Sequence, residues 1–406
     1  TILEPSADSR IIYVSSSEGD DNNNGLSPEN PVRTIAKGVS FMRNGYPDWV
    51  KLKAGDTFDE GIPNWWRVGS GRSASERMVI TTYGNGPRPF VTGGFQGWRT
   101  RESLNTVKGN LAVVGLHFYS KERDPSSADF DGSSNSTRIR WLDDARNVLL
   151  EDCKMSFGGV NIIFQGDSGS PMTNIAIRRC IVVDAYTSGG HSQGIYASNV
   201  DGLLIEENVF DHNGWNENVA EADRTIFNHN IYIQVSCKNV KVRNSISSRA
   251  SSHGLQLRPG GLAENNLFYA NAIGPFAANG YNGRGVENAG VLRRNVIMQS
   301  DDIGSRPRGW GITIFYTPGQ IIENNVILNR ASENQKPGMF LGSAQTDYEN
   351  LEIVVKDNVV QNWSSSDGVG ISLNNLPAGA DPGDFVVSGN IVDGVRRDTG
   401  EPVTFV

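Results

Sequence analysis

A short motif that recurs about every 30 residues constrains this chain more than any other feature. In each copy, a run of apolar and β-branched residues is followed by Asn and then by two or three more apolar residues, as in LLIEENVF, LAENNLF and IIENNVIL. The recurring residues are Asn208, Asn244, Asn266, Asn295, Asn325, Asn358 and Asn390, and two earlier copies carry Cys153 and Cys180 in the same place. Self-similarity at a period of roughly 20–50 residues is typical of a solenoid, in which each structural unit stacks on the next.

The pattern within each copy indicates strands rather than helices. Runs of Val, Ile, Leu and Phe are bounded by Gly, Asn and Asp, which is typical of short strands and turns, and a helical apolar period is absent over most of the chain. An Asn buried at one corner of stacked turns can hydrogen-bond to the next Asn and to the turn backbone, which supplies the partners that a buried amide needs. Since apolar runs at 50–58, 78–84 and 113–118 add earlier turns, we expect an all-β fold, a parallel β-helix of about 11–12 turns.

The N-terminal segment has a different pattern. Residues 31–45 carry Ile35, Val39 and Met42 at helical spacing, with Thr34 placed to cap the helix. We expect a short helix there, because the open first turn of a solenoid needs a cap over its core and its strand edges. The whole chain is predicted to form one β-helix domain: 1–48 as leading strand, loop and cap, 49–392 as turns, and 393–406 as the C-terminal end.

Composition and charge exclude several classes of protein. A formal net charge of −8 leaves no broad basic face, so nucleic-acid binding is not expected. No apolar run approaches the ~18 residues of a transmembrane helix, so membrane insertion is not expected either. Three cysteines are too few for a disulfide framework. No targeting segment is visible, and we expect a secreted, periplasmic or cell-surface protein whose signal peptide has been removed.

A second register follows in the next strand of several turns, as in GIYAS (194–198), NIYIQ (230–234), GLQLR (254–258) and GITIF (311–315). Because side chains alternate along a strand, one residue from each is predicted to face outward in a single column: Tyr196, Tyr232, Gln256 and Thr313. The parallel outward column contains Gln234 and Arg258. His229 and His253 directly precede two of these strands, and His191 precedes a third by three residues. Three of the five histidines therefore fall at one corner of consecutive turns.

An insertion at 211–225 (DHNGWNENVAEADRT) lengthens the turn that leads to His229. It contains Trp215 and Arg224 together with several acidic residues. A long loop beside an ordered sheet face is a common wall of a ligand cleft. A single histidine in a turn is usually a structural residue, but histidines, tyrosines and an arginine on adjacent turns beside such a loop mark a candidate site.

The repeat and the opening segment YVSSSEGDDNNNGLSPENPVRTIAKGV resemble the right-handed parallel β-helix, or pectate-lyase-like, superfamily, over essentially the whole chain. The resemblance implies a right-handed solenoid and a polysaccharide as partner. The segment FNHNIYI…SSHGLQLR also resembles the poly-mannuronate C5-epimerases. His229 matches the histidine of their Asp-Pro-His-Asp motif, His253–Gly254 the His-Gly pair, and Arg258 the basic residue. The chain departs from that motif at Phe227, Asn228 and Asn230, which replace Asp, Pro and Asp.

These residue types suit a uronate lyase or C5-epimerase. A cation must neutralise the carboxylate beside the acidic carbon, which we assign to Arg258, and a base must remove the proton, which we assign to His229 or Tyr232. His253 would position or protonate. The predicted substrate-binding residues are Tyr196, Gln234, Gln256, Trp215, Arg224 and His191.

Two other classes of function stay open at this point. A glycoside hydrolase would use two carboxylates, for which the candidates near the insertion are Asp211, Glu217, Glu221 and Asp223. A surface or tail protein would bind glycans without catalysis, through aromatic stacking. The loop GDDNNNG (19–25) is oxygen-rich enough to hold Ca²⁺. It lacks the spacing and the terminal Glu of an EF-hand, so hydrogen-bonded Asx turns are the preferred interpretation. No nucleotide or zinc motif is present in the sequence.

Overall fold

The computed structural model describes twelve stretches of the chain: residues 3–65, 68–97, 108–132, 137–278, 289–306, 308–315, 319–329, 337–342, 353–363, 370–374, 385–392 and 395–397. The chain divides into two compact units, unit 1 with residues 1–183 and 199–204, and unit 2 with residues 184–198 and 205–406. The single domain over 1–406 therefore stays a prediction, and most of the predicted C-terminal end, 393–406, lies outside the described residues.

Unit 1 contains strands of three parallel sheets, which we call A, B and C. Sheet A has Ile11–Val14, Trp49–Lys53, Met78–Tyr83, Lys108–Val114, Ala145–Glu151 and Met172–Arg178. Sheet B has Thr57–Phe58, Phe90–Val91, His117–Tyr119, Lys154–Ser156 and Ile181–Val183. Sheet C has Phe95–Gly97, Thr137–Leu142 and Val160–Gln165. A short 3-10 helix, Lys121–Arg123, follows the His117–Tyr119 strand.

Unit 2 repeats the same three sheets. Sheet A has Lys241–Arg243, Gly261–Glu264, Gly290–Arg293, Gln320–Glu323, Ile353–Lys356 and Phe385–Ser388; the sheet A strand Val200–Glu206 contains residues of both units. Sheet B has Val209–Asp211, Ile246–Ser248, Leu267–Tyr269, Val296–Met298, Val326–Leu328, Val359–Gln361 and Ile391–Val392. Sheet C has Gln193–Ser198, His229–Ile233, His253–Leu257, Ile273–Ala278, Ile312–Phe315, Met339–Gly342, Ile371–Asn374 and Val395–Arg397.

This arrangement confirms the right-handed parallel β-helix. From the strand Met78–Tyr83 onward, each turn supplies one strand to sheet A, one to sheet B and one to sheet C. Neighbouring turns pair in parallel, as in the pairing of Val296–Met298 with Val326–Leu328. Counted over the described residues of both units, sheets A, B and C contain 13, 12 and 11 strands, which agrees with the predicted number of turns.

The predicted N-terminal helix is present at Ile35–Ser40. Thr34 is its N-cap, and the Thr34 side chain accepts a hydrogen bond of 3.1 Å from the backbone N–H of Lys37. Ile35 and Val39 are buried, so the helix covers apolar core at the first strands, as a solenoid cap does. No helix among the described residues is long and apolar enough to cross a membrane.

Asparagine side chains are stacked at the corner between sheets A and B of unit 2. The amide of each donates to the next: Asn266 to Asn295 (3.0 Å), Asn295 to Asn325 (3.0 Å), Asn325 to Asn358 (2.9 Å) and Asn358 to Asn390 (2.9 Å). Each amide also bonds to backbone, as Asn295 does with Ala263 O at 2.9 Å. Every buried amide in this stack therefore has the partners that burial requires.

One member of the predicted column is wrong. Ser245, not Asn244, occupies the stacked position: its Oγ accepts from the backbone N–H of Asn208 (3.1 Å), and its own N–H donates to Asn266 Oδ1 (3.0 Å). Asn244 is exposed and has a left-handed backbone conformation, with a φ of 52°. Glu207, which directly precedes Asn208 in the neighbouring turn, has the same conformation, with a φ of 58°. Asn suits both the stacked and the left-handed position, so the sequence could not distinguish them.

Replacement of Asn295 by Leu should lower the free energy of unfolding by about 1–3 kcal/mol, because it removes a buried amide and leaves its backbone and side-chain partners without hydrogen bonds. Urea unfolding measures this loss. Asn329→Leu is the matched control, since the Asn329 side chain makes no hydrogen bond within the described residues. Equal unfolding midpoints for Asn295→Leu and the control would contradict this account.

Candidate functional site

The outer face of sheet C in unit 2 brings the predicted column together. Tyr196 pairs with Tyr232, and Tyr232 pairs with Gln256, in neighbouring strands. The sequence missed one strand, Ile273–Ala278, which inserts Phe276 at the register position between Gln256 and Thr313. Gly274 and Pro275 at its start hid this strand, because both residues are unusual inside strands.

The first residues of these strands depart from simple alternation. Gly254 faces the interior, since a Cβ built there would lie 2.6 Å from Asn271 Nδ2. Its counterpart Asn230 is fully buried and donates to Ser247 Oγ (3.0 Å) and Ser248 O (2.8 Å). The next position is again inward, with Ile231 and Leu255 fully buried. Asn230 and Ile231 thus both face inward, as do Gly254 and Leu255. Because of this, the histidine before each pair, His229 or His253, lies on the same side of the strand as the outward column.

His229 and His253 lie against each other at this position. Their Nδ1 atoms are 3.1 Å apart, and the backbone N–H of His253 donates to Nδ1 of His229 at 3.3 Å. The backbone N–H of His229 donates to Oε1 of Gln193 (2.7 Å), and Nδ1 of His253 also lies 3.1 Å from Ser252 Oγ. Both imidazoles are almost completely buried, with 3% and 8% of their surface exposed.

Burial dominates the electrostatics of the two histidines. It lowers the pKa of His229 well below its usual value, and the neighbouring His253, Arg258 and His191 lower that pKa further. Burial likewise lowers the pKa of His253 to about 3, with Arg258 and Arg308 as additional causes. Both rings are therefore neutral imidazoles at neutral pH, able to accept or donate one proton each.

Tyr232 and Arg258 lie beside the histidine pair. The Tyr232 ring centroid is 5.3 Å from that of His229, and the Arg258 guanidinium carbon is 4.9 Å from the Tyr232 ring. Nη1 of Arg258 donates to Gln234 Oε1 at 3.2 Å. Burial raises the pKa of Tyr232, which the Arg258 charge partly offsets, so the phenol is protonated at neutral pH. A base, an acid and a fixed cation thus converge here.

The outward column contains two polar groups that have no hydrogen-bond partner among the described residues. Oε1 of Gln256 and Oγ1 of Thr313 are buried and make no hydrogen bond within the described residues. Only 6% of Gln256 and none of Thr313 is exposed. A buried polar atom without a partner costs roughly 1–3 kcal/mol, so each of these two oxygens is a candidate acceptor for a ligand hydroxyl.

The remaining predicted contact residues lie around this cluster. The ring of Tyr196 is 5.3 Å from that of Tyr232, edge to face. His191 is exposed and packs against the ring of Phe227 at 5.8 Å. Phe227 itself is 55% exposed and its carbonyl accepts from Gln193 Nε2 at 3.0 Å. Tyr196 therefore belongs to the outward column, whereas His191 and Phe227 lie beside the strands that carry it.

Aromatic and basic residues of the 211–225 insertion attach it to the neighbouring turns. Trp215 donates from Nε1 to Arg249 O (2.9 Å), and its ring meets His212 at 4.5 Å and the Arg224 guanidinium at 4.9 Å. Arg224 donates to Ala250 O (2.9 Å) and Ala270 O (3.3 Å). Their contacts are therefore within the loop and with the turns beneath it, and substrate contact by Trp215 or Arg224 stays a prediction.

His212 is a residue that sequence reasoning did not assign. It is 6% exposed, its Nδ1 lies 2.8 Å from Asp184 Oδ1, and its Nε2 lies 2.8 Å from Glu217 Oε2. His212 therefore links the insertion to the preceding turn. The sequence pattern that singled out His229 does not apply to His212, because His212 follows a sheet B strand and lies at the start of the insertion rather than before a strand of the outward register.

The four candidate carboxylates differ in their partners and in their exposure. Asp211 forms an ion pair with Arg249 and accepts from Ser248 Oγ at 2.7 Å. Burial would raise the pKa of Asp211, but the bonds from Arg249 and Ser248 outweigh it and leave that pKa lowered. Glu217 contacts His212, whereas Glu221 and Asp223 are exposed on the loop.

The acidic N-terminal loop uses its oxygens for hydrogen bonds. Asp21 accepts from the backbone N–H groups of Arg33 (2.8 Å) and Thr34 (2.9 Å), and Asp20 accepts from Asn22 (2.9 Å). In the part of the chain that the structure describes, no group of three or more His, Cys, Asp or Glu residues is placed to hold a metal ion.

Comparison with known proteins agrees with the fold, which is that of the right-handed parallel β-helix proteins. A family model described as right handed beta helix region matches residues 130–288. Among solved structures, the fold is similar to XylC in complex with xylose (10% identity, 88% of this chain and 76% of that chain, TM-score 0.52). It is also similar to a tailspike protein of E. coli bacteriophage HK620 in complex with a pentasaccharide (12% identity, 93% and 65%, TM-score 0.52).

A third similar structure is the A-module of a mannuronan C-5 epimerase from Azotobacter vinelandii (14% identity, 86% of this chain and 87% of that chain, TM-score 0.44). No curated protein sequence matches this chain significantly. Identities this low show the fold alone.

Proposed function

We propose that this protein is an enzyme that removes the proton beside the carboxylate of a uronate residue in a polysaccharide, as a lyase or a C5-epimerase. The observation that carries the proposal is the convergence of two neutral imidazoles, a protonated phenol and a guanidinium on one sheet face. His229 contacts both His253 and Tyr232, and Arg258 contacts Tyr232. Each group supplies one requirement of the reaction.

Proton abstraction beside a carboxylate builds negative charge on the carboxylate oxygens. Arg258 is the cation placed to neutralise that charge, and Gln234 holds its guanidinium on one side. A neutral imidazole can accept the proton, because an imidazole that is already charged at the working pH could not act as a base. Tyr232 stays protonated at neutral pH and can donate a hydrogen bond to the developing charge.

The Gln256 side chain is an argument for a ligand that is rich in hydroxyl groups. Its buried acceptor oxygen has no donor, and a sugar hydroxyl that reaches the sheet face would supply one. The ligands named for the two more similar structures, xylose and a pentasaccharide, are also sugars. A polysaccharide found outside the cell fits the secreted, periplasmic or surface location that we expect.

The two-carboxylate hydrolase has less support from the geometry. Asp211 forms an ion pair with Arg249 and a hydrogen bond with Ser248, and Glu217 contacts His212. A hydrolase instead needs one protonated and one ionised carboxyl group on either side of the same sugar bond. A non-catalytic glycan binder would not need two buried imidazoles in contact with a phenol and a guanidinium.

The deciding experiment is a panel of polyuronates and neutral glycans. A lyase produces an unsaturated product that absorbs in the ultraviolet, and an epimerase exchanges the C5 proton for solvent deuterium without cleaving the chain. A hydrolase produces only new reducing ends, and a binder produces none of these signals. We expect ultraviolet absorbance or C5 exchange with at least one polyuronate, and neither with a neutral glycan.

Replacement of Gln256 by Met should separate binding from stability. Met has nearly the same shape but no polar atom to leave unpaired, so we expect unchanged or slightly raised stability, by up to about 1 kcal/mol. The KM for the polysaccharide should rise about five- to tenfold, because one hydroxyl loses its acceptor. Thermal unfolding and initial rates measure the two effects; lower stability together with an unchanged KM would assign Gln256 to the fold alone.

A further inference from the structure

The contact between His229 and His253 assigns a proton to each ring. The backbone N–H of His253 is always a donor, and it points at Nδ1 of His229. That nitrogen must therefore carry its lone pair, which places the proton of the neutral His229 ring on Nε2. Nδ1 of His253 lies 3.1 Å from Nδ1 of His229 and 3.1 Å from Ser252 Oγ, and both of these atoms can accept a hydrogen bond. A proton on Nδ1 of His253 satisfies both contacts, and its own Nε2 is then unprotonated.

We propose that the two imidazoles form a proton relay, with Nε2 of His253 as the base and Nε2 of His229 as the acid. This deepens the proposed function and rests on it. His253 takes the proton from the carbon beside the carboxylate and passes its Nδ1 proton across to His229. His229 gives its Nε2 proton to the glycosidic oxygen as the bond from that oxygen to the sugar ring breaks.

The step is balanced in protons and electrons. The electron pair of the C–H bond forms the new carbon–carbon double bond, and the pair of the broken C–O bond stays on the leaving oxygen, which receives a proton. Each ring gains one proton and loses one, so both stay neutral and only exchange tautomers. A neutral relay suits this place, since two buried rings beside Arg258 and Arg308 strongly disfavour an imidazolium.

The relay also predicts the substrate class. Both rings lie on one face of sheet C, so the proton leaves and the leaving oxygen is protonated from the same side of the sugar. This is a syn elimination, which requires the C5 hydrogen and the C4 oxygen on the same face of the ring. D-Mannuronate and D-glucuronate have this arrangement, whereas L-guluronate and D-galacturonate have the opposite one.

Two experiments test the relay. Ring ¹⁵N–¹H correlation spectra of the uniformly labelled protein at neutral pH should show His229 protonated at Nε2 and His253 at Nδ1, with His229→Gln and His253→Gln to assign the signals. The reversed tautomers, or an imidazolium on either ring, would overturn the relay. This test needs no substrate, so it is independent of the proposed function.

The second experiment measures cleavage of poly-mannuronate, a D-glucuronan, poly-guluronate and polygalacturonate. We expect unsaturated product from the first two, and a loss of about 10²–10⁴-fold in kcat for His253→Gln, because Gln keeps the hydrogen bond to His229 but cannot accept the proton. Preferential cleavage of the last two, or near-normal kcat for His253→Gln, would refute the relay while leaving a lyase in place. No unsaturated product from any polyuronate would instead refute the proposed lyase, on which the relay rests.

Discussion

Arg258→Ala is expected to lower kcat/KM on the polyuronate substrate by about 10²–10³-fold, with most of the loss in kcat. The charge on the substrate carboxylate grows as the proton leaves, so the guanidinium stabilises the transition state more than the bound ground state. The Arg258 side chain is only half-buried and bonds to Gln234, which leaves it accessible from the outer face of sheet C. Steady-state rates with the purified variant measure the effect.

Lys241→Ala is the matched control for this variant, because it also removes one positive charge from unit 2 but from an exposed position on sheet A. It should keep full activity. Arg258→Lys keeps the charge but loses the forked geometry, so we expect an intermediate rate. If Arg258→Ala turns over normally while substitution of Glu217, Glu221 or Asp223 stops the reaction, the uronate chemistry is wrong and a two-carboxylate hydrolase replaces it.

The second large effect is a loss of stability in acid that depends on His253. Burial lowers the pKa of this residue from 6.5 to about 3 in the folded protein. The unfolded chain therefore binds a proton between these pH values that the folded protein does not, so the stabilisation is present above pH 6.5 and is lost as the pH falls. For a shift of this size, the loss between pH 7 and pH 4 is about 3 kcal/mol.

His253→Gln removes this titration. The difference in unfolding free energy between pH 7 and pH 4 should be smaller for the variant than for the unmodified protein by about 3 kcal/mol. Urea unfolding at both pH values gives the comparison, in which the carboxylates elsewhere in the chain cancel. His117→Gln in unit 1 is a positive control, because burial also lowers the pKa of His117 to about 3. Parallel pH profiles for His253→Gln and the unmodified protein would show that His253 is not the source.

The repeat in the sequence was sufficient to predict the fold because its information is local. Each copy specifies a strand, a corner and another strand, and parallel stacking follows when the same pattern recurs about every 30 residues. The helix at Ile35–Ser40 was predictable for the same reason, from Thr34 and three apolar positions. Errors appeared where one residue type suits two positions: Asn244 was placed in the stack that Ser245 occupies.

The candidate site was predictable only in part. Alternation placed Tyr232 and Gln256 in one outward column, and the structure has them paired. Alternation does not apply at the histidines, where two successive inward residues follow His229 and His253. The strand at Ile273–Ala278 was missed because Gly274 and Pro275 mask its pattern. Local sequence rules fail at these places because packing across turns, not propensity, decides them.

The sequence by itself determined the solenoid, its strands and the turns that carry histidine, tyrosine and arginine together. Only the tertiary structure decided what those residues can do. The contact between neighbouring turns directs the backbone N–H of His253 at Nδ1 of His229, and the proposed tautomers follow from this hydrogen bond. Burial lowers the pKa values of His229 and His253, and the Arg249 guanidinium forms an ion pair with Asp211. Protonation and pairing depend on distances of a few ångströms between residues far apart in the chain, and a repeat pattern does not specify such distances.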